Sequence, residues 1–428
     1  MPTKPEVYER LFSPPPRKPL RSAPSAATVC EPQSFIETVN HIRLDGSLKA
    51  FEKKRAVAKV VLEDLGKRGR LIRTQDNQLY FFDRQSKVLE PLETEEFRAA
   101  LYEQFGLNST EEEARFVERE IRTAAMRRGE HADVHRLAWW NEPAAKLYVS
   151  ANNGTLFLLD GTTIKTADNG TDGVLFLNDR RAGPLEADLT WGSQAQNSNE
   201  RDALIEHFNT MFQGLSLAAP ANAPDAKSQA LALLKVWVLG LFFLEALPVR
   251  PIVALVGEQG SGKTTLGRRV GLVLYGTGFD VGSFRSDVTG EQDFLAAVTA
   301  RRLVVFDNAD ARIKWLPDHL AKLATGGDIE RRQLYTTNTL MSFKPECFLL
   351  LTSRDPKWKR DDVARRLLPI RMETIRTEKI PERKLQREIL VNRNLIWGAL
   401  LSLLNGVVRS LSTDTRTFTS AHRLADFH

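Results

Sequence analysis

Apolar positions change their period several times along the chain, and each change marks an element. Residues 50–65 set Val57, Val60, Val61 and Leu65 on one face of a helix. Residues 70–74 and 79–83 then read as strands, and the turn-forming Gln75-Asp76-Asn77-Gln78 between them predicts a hairpin. Phe97, Leu101, Tyr102 and Phe105 continue as a short amphipathic helix. Residues 111–128 form another, carrying i,i+4 charge pairs such as Glu118 with Arg122. After His131 the apolar runs shorten to 147–150, 155–159 and 173–177, separated by the turn formers Asn153-Gly154, Asp160-Gly161 and Asn169-Gly170. The pattern predicts a small α+β module over 35–130 and a β-rich module over 131–195.

A polar stretch, 192–201, leads to a helix over 202–212, and a second loop over 218–225 carries Pro220 and Pro224; the main boundary is expected near 195. Residues 230–247 are apolar for nearly the length of a bilayer span, but Lys235 and Glu245 interrupt them and the run passes through Pro248 into another apolar stretch. A core helix beside a sheet is the expectation. Apolar strands at 251–256, 301–306 and 347–351 alternate with amphipathic segments, as in an α/β core over 196–378. The remainder, 379–428, is a helical segment whose stretch 392–411 repeats apolar positions at helical spacing, as ring scaffolding would. Eight prolines crowd residues 1–34 with Ser, Ala and basic side chains, which predicts a disordered tail unable to bury a core. The pattern shows no repeat and no heptad run.

With 428 residues, 42% of them hydrophobic and 27% charged, the composition is that of a soluble globular protein of two or three domains. Cys30 and Cys347 are too few for a disulfide framework or a zinc knuckle, and a reducing cytoplasm fits best. No signal peptide opens the chain. Sixty Lys and Arg against 54 Asp and Glu give a formal charge of +6, which mildly favours a polyanionic partner.

The chemistry concentrates after Pro251. An apolar strand runs into Gly257, Glu258, Gln259, Gly260, Ser261, Gly262, Lys263, Thr264 and Thr265, which open a helix: a complete Walker A loop in its required context. The glycines let backbone N–H groups turn around phosphate oxygens, Lys263 reaches the β and γ phosphates, and Thr264 ligates Mg²⁺. The strand ending at Asp307 supplies a Walker B aspartate for the same metal. Asn308 stands where a catalytic glutamate is usual, so either Asp310 substitutes, or Asn308 positions water, or Asp310 is structural. The strand 347–351 ends in Thr352 and Ser353, either of which would sense the γ phosphate. In the charged turn that follows, an arginine is placed to reach a neighbour's ATP as a finger, unless Arg365 and Arg366 pair with Asp361 and Asp362.

The ordered strings GEQGSGKTT, LVVFDNAD, KLATGGDIERRQLY, FKPECFLLLTSRDP and DDVARRLLPI resemble the superfamily 3 helicase ATPases. More narrowly they are similar to the phage, plasmid and poxvirus helicase-primase group and to mobile-element ATPases. The resemblance spans roughly 228–410. It implies an α/β fold, a P-loop NTPase (AAA+-like) parallel sheet with helices on both faces, preceded by an α+β and β-rich accessory region. It also implies ATP and Mg²⁺ as cofactors, a hexameric ring of identical subunits, single-stranded or forked DNA as substrate, and a replication or primase protein as partner. The activity implied is that of a DNA helicase or translocase serving replication of a mobile element; the alternative is a non-translocating AAA+ regulatory ATPase. Ser353 stands at the family's sensor asparagine and Arg366 at its arginine finger, with Asn308 and Ser353 departing from the pattern in the direction of slow hydrolysis. A DNA-contacting hairpin falls around residues 336–339, flanked by Arg331, Arg332 and Lys344. Asp83 and Asp160 lack acidic partners, so no primase activity is expected. The chain ends at His428 inside an element that similar proteins continue.

Overall fold

A computed structural model describes residues 32–413 except 180, 190–197, 220–224, 310–312, 333–339, 344, 355–359 and 376–380. The proline-rich tail, Asp310, Lys344 and the hairpin tip around 336–339 lie outside the described residues.

The amino-terminal α+β module contains α1 (Pro32–Leu44), α2 (Ala50–Arg68), β1 (Gly69–Arg73), β2 (Leu79–Asp83), β3 (Leu89–Pro91), α3 (Glu95–Phe105), α4 (Glu112–Arg128) and β4 (Glu130–His131). Its sheet runs in the order β3-β2-β1-β4, and the β1–β2 hairpin pairs Arg70 with Phe82 and Ile72 with Tyr80. Val57, Val61 and Leu65 of α2 meet Val117 and Ile121 of α4 in a core of their own. The expected Glu118–Arg122 pair does not form. Glu118 instead bonds Arg98 of α3 at 3.2 Å, and Arg122 reaches Glu93 in the turn before α3, so both find partners across the packed elements rather than along their own helix.

The next segment has β5 (Val134–His135), β6 (Ala138–Asn141), β7 (Lys146–Ser150), β8 (Thr155–Leu159), β9 (Ile164–Asp168) and β10 (Leu175–Phe176). Strands β6 to β9 form an antiparallel meander, and β5 pairs with β10 in parallel. The run at 173–177 shrinks to two strand residues after a 3₁₀ turn, Thr171–Gly173. Strand β9, with the sequence IKTAD, lies at the sheet's edge and gave no apolar signal. Asp83 and Asp160 build turns: Asp83 accepts from the N–H groups of Gln85 and Ser86, and Asp160 from those of Thr162 and Thr163.

Helices α5 (Ser198–Asn209) and α6 (Ala226–Gly240) lead to the central sheet, formed by β11 (Ile252–Val256), β12 (Gly282–Ser283), β13 (Leu303–Asp307), β16 (Phe348–Ser353) and β17 (Leu367–Arg371). Between them lie α7 (Lys263–Tyr275), α8 (Val288–Ala300), α9 (Leu316–Ala324), β14 (Ile329–Arg332), β15 (Leu340–Phe343) and α10 (Asp361–Ala364); α11 (Glu382–Val391) and α12 (Arg393–Thr413) follow. All five strands are parallel in the order β12-β13-β16-β11-β17, so the strand after the Walker A turn's own strand in space is β16, not β13. Side chains alternate between the two faces. Val253, Leu255, Val305 and Leu350 enter one apolar core, and Ile252, Val304, Phe306 and Leu351 enter the other with Leu316 and Leu320 of α9. Helices therefore cover both faces.

Three expectations change. The apolar run 230–247 packs one face into the core through Leu234, Trp237 and Val238 while Val236 stays exposed, its helix stops at Gly240, and Leu241, Phe242 and the 3₁₀ turn Leu244–Ala246 finish the packing. The Trp237 indole N–H donates to the Pro251 carbonyl at 2.8 Å, fastening α6 beside β11. Second, α12, the segment expected as ring scaffolding, packs into the core of its own subunit. It is the helix, among the described residues, long and apolar enough for a bilayer, but Trp397, Leu400, Leu401 and Leu404 are fully buried. Third, the apolar core does not divide at 195. Leu147, Val149, Phe157 and Leu159 of the meander share one core with α5, α6, α7 and α12. Polar and proline-rich stretches mark loops locally, whereas the partition of a core depends on long-range packing.

Candidate nucleotide-binding site

Strand β11 delivers Gly257 to the carboxyl edge of the sheet, where its N–H donates to the Ser353 carbonyl at 3.2 Å. The loop then turns through Gly260 and Gly262, both with positive φ, 81° and 84°, a conformation that costs glycine little and side-chain-bearing residues much. Helix α7 starts at Lys263 and lies so close to the sheet that a Cβ on Gly267 would come within 2.6 Å of Val305. Close packing of this helix aims its N-terminal N–H groups and dipole at the loop.

The Lys263 side chain is nearly buried and folds onto the loop, donating to the Gly257 carbonyl at 2.7 Å, the Glu258 carbonyl at 2.8 Å and the Ser261 hydroxyl at 3.2 Å. Burial holds its ammonium below the ordinary lysine value; the Asp307 and Glu258 carboxylates oppose that shift and the Arg354 guanidinium adds to it. Gln259 and Gly260 are exposed at the loop tip, and Thr265 lies in the first turn of α7.

Asp307 closes β13 beside this turn. Its Oδ1 accepts a hydrogen bond from the Thr264 hydroxyl at 3.0 Å and another from the Thr352 hydroxyl. Thr352 in turn accepts from the Asn308 N–H at 3.1 Å, and its carbonyl accepts from the Ala309 N–H at 2.8 Å. Asn308 has φ of 55°, in the left-handed region that asparagine tolerates better than most side chains. The hydroxyl that reaches Asp307 is thus that of Thr352 and not that of Ser353, since consecutive strand residues point to opposite faces. Ser353 is buried at the same strand end. Hard oxygens from Thr264 and Asp307, converging beside a glycine loop with its lysine, are the donor set that Mg²⁺ and a polyphosphate require.

The arginines divide by position. Arg366 lies at the opposite edge of the sheet, where its carbonyl accepts from the Ile252 N–H at the start of β11, and its side chain donates to the Ala321 carbonyl at 3.3 Å. Arg365 is exposed and pairs with Asp361 at 3.7 Å. Asp362 is held by Arg360 at 2.7 Å, so of the alternative pairing of both arginines with both aspartates only Arg365 with Asp361 is made. At the loop edge, Arg354 reaches Glu258 at 3.4 Å. Its sequence signal was its place directly after the strand. Arg331 and Arg332 belong to β14, paired antiparallel with β15, which puts two strands where a hairpin was expected.

Residues 215–428 match the family model of the actinomycete integrative conjugative element replication protein. No curated protein matches the chain. Among solved structures it is similar to the apo C-terminal region of NrS-1, at 13% identity over 82% of this chain and 68% of that one, with a TM-score of 0.42. It is likewise similar to a chain described as SCCmec type IV Cch, active helicase, at 11% identity over 81% and 70%, with a TM-score of 0.40.

Proposed function

The chain belongs to the family of actinomycete integrative conjugative element replication proteins, and from that premise we propose that it is an ATP-hydrolysing, ring-forming DNA helicase or translocase acting in the cytoplasm. The observation that carries the proposal is the convergence of Lys263, Thr264 and Asp307 at one edge of a five-stranded parallel sheet.

In this reading phosphate oxygens take the place of the loop carbonyls around Lys263, while Thr264 and Asp307 hold Mg²⁺, which supplies charge neutralisation on the phosphates. Thr352 fixes the Asp307 carboxylate. Asn308 or Asp310 orients the attacking water. Arg366 serves in trans: the five residues of β11 separate it from its own loop by about 16 Å at roughly 3.3 Å per residue, so a nucleotide it touches belongs to another subunit. Six copies would bring β14 and β15, with Arg331, Arg332 and Lys344, around a single strand of DNA, where a modest charge per subunit becomes a concentrated one.

The test is ATP turnover with and without single-stranded DNA, together with strand displacement on a forked duplex. DNA-stimulated turnover with displacement supports the proposal; DNA-independent turnover without displacement leaves the regulatory ATPase. For the ring, an Arg366→Ala subunit mixed with a Lys263→Ala subunit is expected to regain activity at mixed interfaces. Assembled mixtures that stay inactive would remove Arg366 from the trans role.

A further inference from the structure

We propose that Arg354 is a cis-acting cation for the γ phosphate of ATP, supplying from the end of β16 a charge that neither of the two preceding hydroxyls can supply. The proposal rests on the ATPase reading above and names a further residue of the same site.

Strand β16 lies between β11 and β13, so its carboxyl end opens between the phosphate loop and Asp307. Three consecutive polar residues stand there. Thr352 is committed to Asp307 and the Asn308 N–H, and Ser353 is buried. Arg354 is the first residue to leave the strand, and its guanidinium turns back to the carboxylate of Glu258 on the phosphate loop. Both side chains are largely exposed, 66% and 74%. An ion pair this open contributes little to stability, so it is easily exchanged for a stronger anion. A triphosphate is that anion: it carries more charge than a carboxylate and offers oxygens spaced for the guanidinium fork.

Other arginines around the site differ in position: Arg371 ends β17 beside Val256 with its side chain exposed, and four more are engaged or distant. Arg360 holds Asp318 and Asp362, Arg268 holds Glu382, Arg269 donates to the Gln213 carbonyl, and Arg366 occupies the far edge. Arg354 is paired with the loop itself. In the reaction, the water oxygen bonds to Pγ as the bond from Pγ to the β,γ-bridging oxygen breaks. ADP leaves with that electron pair, and the water proton passes to the released phosphate or to solvent. Arg354 exchanges no proton; it balances charge on the γ oxygens.

Two measurements on the full chain test this. Affinity for fluorescent ATP and ADP analogues, read on dilute subunits, should show Arg354→Ala losing about tenfold or more for the triphosphate and little for the diphosphate, the signature of a contact to the γ group alone. Turnover should fall by about 10² to 10³, the usual loss when one donor to developing charge is removed, and Arg354→Lys should recover part of it. Unchanged discrimination between ATP and ADP in Arg354→Ala, or equal losses for both nucleotides, would overturn the proposal. Lys263→Ala serves as the reference: if it matches wild type in turnover, the ATPase reading itself fails, whereas an inactive Lys263→Ala beside a fully active Arg354→Ala defeats only the role of Arg354.

Discussion

Thr352→Val removes one oxygen and keeps the shape of the side chain, so its consequences follow from two hydrogen bonds. The hydroxyl donates to Asp307 Oδ1 and accepts from the Asn308 N–H, at a residue with no exposed surface. A hydrogen bond to an ionised group is worth about 1.5–3 kcal/mol, and the half-buried Asn308 N–H left without its partner costs about 1 kcal/mol, the low end for an unsatisfied donor. Because both losses fall on one strand end that can relax, a combined penalty of about 3 kcal/mol is expected. For a cooperative unit of about 150–250 residues this lowers the melting temperature by roughly 6–12 °C. The melting curve is taken without nucleotide, so that binding does not mask the change. Freed from Thr352, the Asp307 carboxylate keeps only the Thr264 bond, and half-saturation by Mg²⁺ in the ATPase assay should move to higher concentration. Thr352→Ser should restore both. A valine variant that melts with wild type and needs no more Mg²⁺ would refute the view that this hydroxyl sets the carboxylate.

Lys263→Ala and Asp307→Asn should each cut turnover by on the order of a hundredfold or more while leaving the circular dichroism spectrum unchanged. Asn308→Gly should be near neutral in chemical denaturation and Asn308→Val should cost about 1–2 kcal/mol, because the backbone there is left-handed. His135, stacked on Trp139 at 4.8 Å, is pushed down to about 3 by burial, with the Arg302 charge adding to the effect. The unfolded chain then binds the extra proton first, so stability is complete above about pH 6.5 and declines as pH falls from there towards 3. His135→Gln should flatten that limb of a melting temperature series.

Legibility in the sequence tracked how local each interaction is. The phosphate loop is nine consecutive residues whose spacing alone implies the turn, and Asp307 ends an apolar run that can only be a buried strand. Which of Thr352 and Ser353 reaches Asp307 was not legible, because it depends on which face of the sheet each side chain enters. Asn308 departs from the usual acid, and its φ of 55° adds a backbone reason for asparagine that the sequence does not display. Glu118 and Arg122 were a correct helical pair by spacing and were drawn off by Arg98 and Glu93 on neighbouring elements. On a larger scale, the core that joins residues on both sides of 195 is likewise a matter of long-range packing.

Helix α12 carries that larger scale into practice. Asn405 accepts from the Gly161 N–H at 2.8 Å and Arg409 donates to the Gly161 carbonyl at 2.6 Å, so the C-terminal helix clasps the turn between β8 and β9. Arg302, at the head of β13, donates to the carbonyls of Arg136 and Ala138 from the other side. An expression fragment cut at residue 215, where the family match begins, would lose both clasps and leave bare the face of α12 that Leu147 and Phe157 cover. Such a fragment should be recovered from cells as insoluble material, whereas one beginning ahead of β5 retains the core shared by the meander and α12 and bares only the smaller contact of Leu175 with Ile72, Tyr80 and Phe82.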